Sequence, residues 1–209
     1  MPGGATERTL TPREMKRRRI LRAAIEVFAE KGYFAARMTD VAHRAEVADG
    51  TLYLYFEGKE HLLVSIFDEM LGGFIEQLKA EIQGLADPME KLKIMIRLHL
   101  EALGRDRALA HVMQIETRHS RRFMSLFTRG RLGEYLGLLR EIIEEGQELG
   151  RFRKDIKPRV ATMVVFGAVD ELVTSWLLAD RETRLERELP GLIKLLSEGL
   201  VPCEMHGME

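Results

Sequence analysis

The residues best able to bind a metal or exchange a proton in this 209-residue chain are six histidines and a single cysteine. Their spacing argues against both roles. His43, His61, His99, His111, His119 and His206 are scattered, and His111 and His119 lie too far apart to share one helix face. His99 falls on a helix face with Met95 and Leu103, where a satisfied or half-buried imidazole is expected. Cys203 and His206 have a ligand-like spacing but no second pair to complete a tetrahedral site. One cysteine permits no disulfide. A nucleophile elbow of the Gly-Xaa-Ser-Xaa-Gly type, a phosphate-binding glycine loop and a His-Glu-Xaa-Xaa-His pair are all missing from the sequence. The expectation is therefore a chain that is not an enzyme, with no catalytic residue, no metal and no cofactor.

Charge suggests a different chemistry. The net charge is −1, yet residues 1–22 hold seven Lys/Arg against Glu7 and Glu14. Residues 1–60 carry +2 and the remainder −3. A basic amino end on an acidic body suits local contact with a polyanion. Just beyond it, residues 39–56 read Thr-Asp-Val-Ala-His-Arg-Ala-Glu-Val-Ala-Asp-Gly-Thr-Leu-Tyr-Leu-Tyr-Phe. The pattern predicts a helix, a tight turn and a second helix opening on small and polar residues. Val41, Ala42, Ala45, Val47, Leu52 and Phe56 can pack the pair inward, which turns Thr51, Tyr53 and Tyr55 outward. A helix in a DNA major groove reads base edges with its amino-terminal residues while hydroxyls and lysines hold phosphates.

The elements that must position these groups are all helical. Thr11-Pro12-Arg13-Glu14 has the form of a capped helix start, and Lys31-Gly32 ends that helix. Thr39 and Asp49 are expected to cap the next two. A long amphipathic helix follows Gly58, through Leu62, Ile66, Met70, Phe74 and Leu78. Asp87-Pro88 opens a fifth, Asp106 a short sixth reaching Glu116, and Ser120 a seventh closing at Gly146 or Gly150. Pro158 opens the eighth, and a ninth runs from about Leu185 to Leu200 with Pro190 as an irregularity or late start. The fold class expected is all-α with about nine helices. Apolar residues make up 45% and charged residues 31%, ordinary for a globular chain that buries a core. The stretch Val160–Ala179 is long enough to span a bilayer, but Asp170 and Glu171 within it favour a buried helix over a membrane one. The opening Met1-Pro2-Gly3-Gly4 lacks a secretory pattern, so a cytoplasmic location is expected.

Residues 18–63 resemble the amino-terminal domain of the TetR family. The likeness is carried by Ala23–Tyr33, by Met38-Thr39-Asp40-Val41-Ala42, and by Gly50–Phe56 followed by Lys59-Glu60 and Leu62-Leu63. It implies a homodimeric transcriptional repressor, with residues 1–58 as a helix-turn-helix DNA-binding domain (1–10 a loose tail) and 59–209 as a ligand-binding and dimerisation domain. Carried over by position, Thr39, Tyr55 and Lys59 would meet phosphates, Thr51 and Tyr53 bases or backbone, and Gly50 would let the main chain approach double-stranded operator DNA. Asp49 departs from the family pattern; it is expected to cap its helix, the other role being to accept from a cytosine amino group.

Val47–Phe56, Phe74-Ile75-Glu76 and Asp170-Glu171 with Trp176 look further like the FadR branch, repressors of fatty-acid degradation relieved by long-chain acyl-CoA. Such an effector needs an apolar tunnel and cations. Phe74, Met95, Leu98, Met113, Phe123, Phe127 and Phe166 could line the tunnel. Arg118 and Arg122, from a set with Arg105, Arg107 and Arg121, could meet phosphates. The alternative is a TetR-type repressor of an efflux or other metabolic operon, answering to a different hydrophobic molecule. An apolar eighth helix (Val164, Ala168, Leu172, Leu177, Leu178) and Leu192, Leu195 and Leu196 on the ninth are expected to pair two copies.

Overall fold

The computed structural model describes residues 11–116, 130–179 and 184–201. Among them are nine α-helices and no strand. The chain divides into two compact units, residues 1–66 and 67–209.

In the first unit, α1 (Pro12–Lys31) starts as the sequence requires. Thr11 N–H donates to Glu14 Oε2 at 2.8 Å, and Glu14 N–H donates back to Thr11 Oγ1 at 3.2 Å. These reciprocal bonds satisfy donors that a helix start leaves unpaired. Gly32 ends the helix at φ 76°, a left-handed conformation that glycine adopts without strain. Helix α2 (Met38–Arg44) and α3 (Asp49–Tyr53) follow. Ile20, Ala24, Phe28, Val41, Ala42, Leu52 and Phe56 are at most 1% exposed and form the core of the unit. Arg44 grips Glu30 through both terminal nitrogens, at 2.9 and 2.7 Å, which ties α2 to α1. Helix α4 (Lys59–Ile82) begins in this unit and ends in the next. The division thus falls eight residues into α4 instead of at 58/59. Leu62, Leu63 and Ile66 are buried there, so the first turns of α4 belong to the core of the amino-terminal unit.

Two expected caps are not formed. Thr39 lies inside α2, and Asp40 accepts the Arg37 N–H at 2.8 Å. Asp40 holds the third helical position, where a carboxylate reaches back to the cap and makes the stronger, charge-assisted bond. Asp49 is likewise the first helical residue of α3; Ala48 is the cap and has no side chain to contribute. The carboxylate still faces the positive end of the α3 peptide dipoles.

The second unit packs around α5 (Pro88–Gly104), capped by Asp87, whose Oδ1 accepts the Met89 N–H at 2.9 Å. Helix α6 (Arg107–His111) starts at Asp106 and widens into a π-helical turn over Val112–Glu116, so the sixth helix is α only in its first half. Helix α7 (Arg131–Glu148) is described from Arg131 onward; its expected start near Ser120 lies outside the described residues. It stops at Gly150, φ 69°, and the N–H groups of Arg151 and Phe152 both return to Gly146 O. Helix α8 (Pro158–Leu178) packs on α5 and α7. A 3-10 turn over Leu185–Glu188 leads into α9 (Leu189–Leu200), which has Pro190 in its first turn, so the proline marks a late start.

Helix α8 is less buried than expected. It is long and apolar enough to cross a membrane by length and composition, and only 28% of its most apolar stretch is buried within the chain. Val160, Met163, Val164 and Leu178 on α8 and Leu195 on α9 are each more than half exposed. Leu192 and Leu196, expected on the same outer face, point into the unit's own core and are 8% exposed.

Candidate nucleic-acid interface and effector site

The turn between α2 and α3 is built by backbone hydrogen bonds. Glu46 takes a left-handed φ of 53°, and the Val47 N–H reaches Ala42 O at 3.0 Å. This turns the chain at the end of α2, ahead of α3. The α-helix ends at Tyr53, and further hydrogen bonds from Tyr55 and Phe56 N–H to Leu52 O complete the turn. Asp49, Gly50, Tyr53 and Leu54 are exposed, and Thr51 and Tyr55 are half-buried. Thr39 is exposed on the first turn of α2. Arg13 and Arg17 of α1 stack over the rings of Tyr55 and Phe56, at 6.0 and 5.5 Å to the centroids. Arg13, Lys16, Arg18 and Arg19 are exposed.

Gly50 stands out on this surface. Its φ is not left-handed, and a Cβ added there would meet nothing within 4 Å. Neither backbone strain nor packing inside the chain calls for a glycine at this position.

Lys59 is already engaged within the unit. Its Nζ donates to Tyr33 O at 2.7 Å and Phe34 O at 3.0 Å and lies 4.7 Å from the Tyr33 ring centroid. Burial lowers its pKa. Two of three ammonium protons thus bind the loop between α1 and α2, and one remains for another acceptor.

In the second unit, the predicted tunnel residues Phe74 and Phe166 flank one polar pair. His99 Nδ1 lies 3.0 Å from the Tyr135 hydroxyl oxygen. The Phe74 ring lies 6.2 Å from His99 and 5.2 Å from Tyr135; Phe166 lies 6.4 and 5.8 Å from the same two rings. Burial pushes the His99 pKa down to about 4, against a smaller opposing pull from Asp170, and pushes the Tyr135 hydroxyl up. Imidazole and phenol are therefore both neutral at pH 7. Beside them Gln114, carried by the π-helical turn, donates to Asp170 Oδ1 at 2.8 Å, and Thr174 donates to Gln114 Oε1 at 3.4 Å.

Met95 and Leu98 are buried on α5, and Met113 is half-buried in the π-helical turn. Of the cations considered for phosphate, Arg105 pairs with Glu101 at 2.9 Å, and Arg107 donates to Leu177 O at 2.7 Å at the end of α8. Arg118, Arg121, Arg122, Phe123 and Phe127 lie outside the described residues.

The first unit matches the family of bacterial regulatory proteins of the tetR type over residues 20–66, and the second matches the C-terminal region of YsiA-like proteins over residues 67–199. The chain belongs to the TetR family. Its relatives in sequence include the fatty acid metabolism regulator protein of Bacillus subtilis, 38% identical over 87% of this chain and 93% of that protein. Among solved structures, the fatty acid degradation regulator FadR of Bacillus halodurans superposes with a TM-score of 0.84 at 38% identity, over 92% of this chain and 98% of that one. FadR of Bacillus subtilis in complex with stearoyl-CoA superposes with a TM-score of 0.83 at 37% identity, over 87% and 98%.

The TetR assignment makes this protein a transcriptional regulator, not an enzyme, and the helix-turn-helix its DNA-binding element. Both of its units match, and the two matched regions meet at 66/67, where the chain itself divides. Sequence reasoning missed two features of this TetR protein. Leu54, 77% exposed between Tyr53 and Tyr55, is an apolar group on the outer side of the helix-turn-helix. The His99–Tyr135 pair joins residues 36 apart on different helices; only the odd placement of a histidine on an apolar face hinted at it.

Proposed function

We propose that this protein is a repressor of fatty-acid degradation genes, released from its operator by long-chain acyl-CoA. One observation carries the reading: the likeness to a regulator crystallised with stearoyl-CoA extends through the effector unit, where TetR proteins differ most, and is not confined to the DNA-binding unit. Phe74 and Phe166, which share one aromatic cluster, suit an acyl chain; Met95, Leu98, Met113, Phe123 and Phe127 are assigned to the same chain, and Arg118 and Arg122 to the phosphates, from the sequence. Unbranched methionines adapt to chains of differing length.

On the DNA side, Thr51, Tyr53 and Leu54 read base edges. Thr39, Tyr55 and the remaining proton of Lys59 hold phosphates, and Gly50 lets the main chain close on the backbone. Two copies, paired through the exposed apolar faces of α8 and α9, place their α3 helices on half-sites about one helical turn apart. The protein works in the cytoplasm, where operator and acyl-CoA meet.

Release requires the ligand to favour the protomer arrangement that misplaces the reading helices; equal affinity for both arrangements would change nothing. Calorimetric titration with acyl-CoAs of rising length tests the effector. Affinity should rise roughly tenfold for each added pair of methylenes until the tunnel is full, at about 0.8 kcal/mol per methylene. Free CoA should bind weakly. Indifference to chain length would contradict the reading, and tight binding of an unrelated hydrophobic molecule in place of acyl-CoA would favour another effector for the same fold.

A further inference from the structure

Four helices, α4, α5, α7 and α8, bring Phe74, His99, Tyr135 and Phe166 to one place in the effector unit. Within this aromatic surround the His99 Nε2 atom is buried and has no hydrogen-bond partner. Asp170 is close enough to influence His99, but its Oδ1 accepts from Gln114 and it does not reach Nε2.

Counting protons assigns the free atom. A neutral imidazole carries one N–H and a phenol one O–H. If Nδ1 held the imidazole proton, it would donate to the Tyr135 oxygen, stranding the phenolic proton and leaving Nε2 as an unused acceptor. If Tyr135 donates to Nδ1, both atoms of that 3.0 Å contact are satisfied and the imidazole proton sits on Nε2. The second arrangement strands one group instead of two. An N–H without an acceptor among apolar rings costs free energy, which a ligand oxygen would recover.

We infer that His99 Nε2–H is a donor held for an acceptor oxygen of the effector, and that this oxygen is the thioester carbonyl of the acyl-CoA. The inference rests on the acyl-CoA reading above. An alkyl tail lying between Phe74 and Phe166 offers no acceptor of its own. Moving along the ligand from the tail, the first oxygen met is the thioester carbonyl; the amides and phosphates lie farther out on the polar arm. His99 then tells a thioester from a molecule that merely fills the tunnel, while Tyr135 is a positioning residue that fixes the imidazole proton.

The test compares an acyl-CoA with its S-alkyl thioether analogue of equal length, which lacks only the carbonyl oxygen, for release of an operator complex. On the unmodified protein the thioester should act at about tenfold lower concentration. In His99→Phe combined with Tyr135→Phe, which removes both polar groups so that no hydroxyl is stranded, the two ligands should act at the same concentration. Taking the ratio of the two ligands on one protein cancels any change in folding or in ligand-free operator affinity. His99→Gln, which keeps an amide N–H, should recover most of the discrimination and serves if the double variant does not fold. No discrimination by the unmodified protein, or full discrimination surviving in the double variant, would overturn the inference. Failure of both ligands to release the operator would overturn the acyl-CoA reading and this inference with it.

Discussion

A buried imidazole makes stability depend on pH. His99 titrates near 4 in the folded protein because burial disfavours its charged form, whereas an exposed histidine titrates near 6.5. The folded state therefore binds fewer protons than the unfolded one between those values. The contribution is fully present above about pH 6.5 and is lost as pH falls toward 4, at up to about 1.4 kcal/mol per pH unit. Urea midpoints measured between pH 6.5 and 5 should fall, and His99→Gln should flatten that fall. An unchanged slope in the variant would mean that the ring is not buried as described. Gly50 gives the second prediction at this scale. With space around its Cα and no left-handed φ, Gly50→Ala should leave the fold intact or stabilise α3 by up to about 1 kcal/mol. Operator affinity should nevertheless drop, because in the proposed docking the new methyl meets the DNA backbone. A thermal melt and a binding isotherm on the same preparation check both halves, and unchanged affinity would remove Gly50 from the interface.

Elements were legible where a local signal met a local need. Thr11 and Asp87 cap α1 and α5 because each is followed by proline at the first helical position and has an N–H within reach. Thr39 and Asp49 are capping residue types without the following proline, and both helices start one or two residues earlier, at Met38 after Arg37 and at Asp49 after Ala48. Competition between adjacent polar residues, Thr39 against Asp40, is settled by register and charge, which residue type alone does not give. The π-helical turn at Val112–Glu116 had no sequence signature, although it is what carries Gln114 to Asp170. The α7 end shows how tight one junction is. A Cβ on Gly146 would fall 2.1 Å from Phe152 Cδ2, and that ring is 1% exposed and has no room to retreat. Gly146→Ala should destabilise the effector unit by about 1–3 kcal/mol through overpacking. Gly137→Ala, on the same helix but with nothing within 4 Å of the added methyl, should not. Equal denaturation midpoints for the two variants would contradict the packing described here.

At the scale of the whole molecule, the proposed function needs two copies and two states. Val160, Met163, Val164, Leu178 and Leu195 are exposed apolar residues that the proposed dimer would cover. Val164→Glu should yield a monomer by sedimentation at micromolar concentration and weaken operator binding by removing the second half-site; a variant that stays dimeric would place the interface elsewhere. The apolar character of α8 was plain in the sequence, but which residues face outward was not: Leu192 and Leu196 look identical to Leu195 until α9 is docked. Switching demands a sizeable preference for one state. Moving a population from 99:1 to 1:99 takes about 5.5 kcal/mol of differential affinity. At about 0.8 kcal/mol per methylene, roughly seven buried methylenes could supply it, if their burial were available in one state alone. Short acyl groups would not reach that value, so the proposed effector makes chain length the decisive variable.

The central claim is tested most directly by measuring operator affinity at fixed salt while titrating acyl-CoAs of increasing length. Free CoA and short chains should have little effect, followed by a steep loss of affinity as the chain reaches the length of the proposed tunnel, and a plateau beyond it. A response that is flat with length, or release by an aromatic compound or an amino acid with none by acyl-CoA, would contradict it.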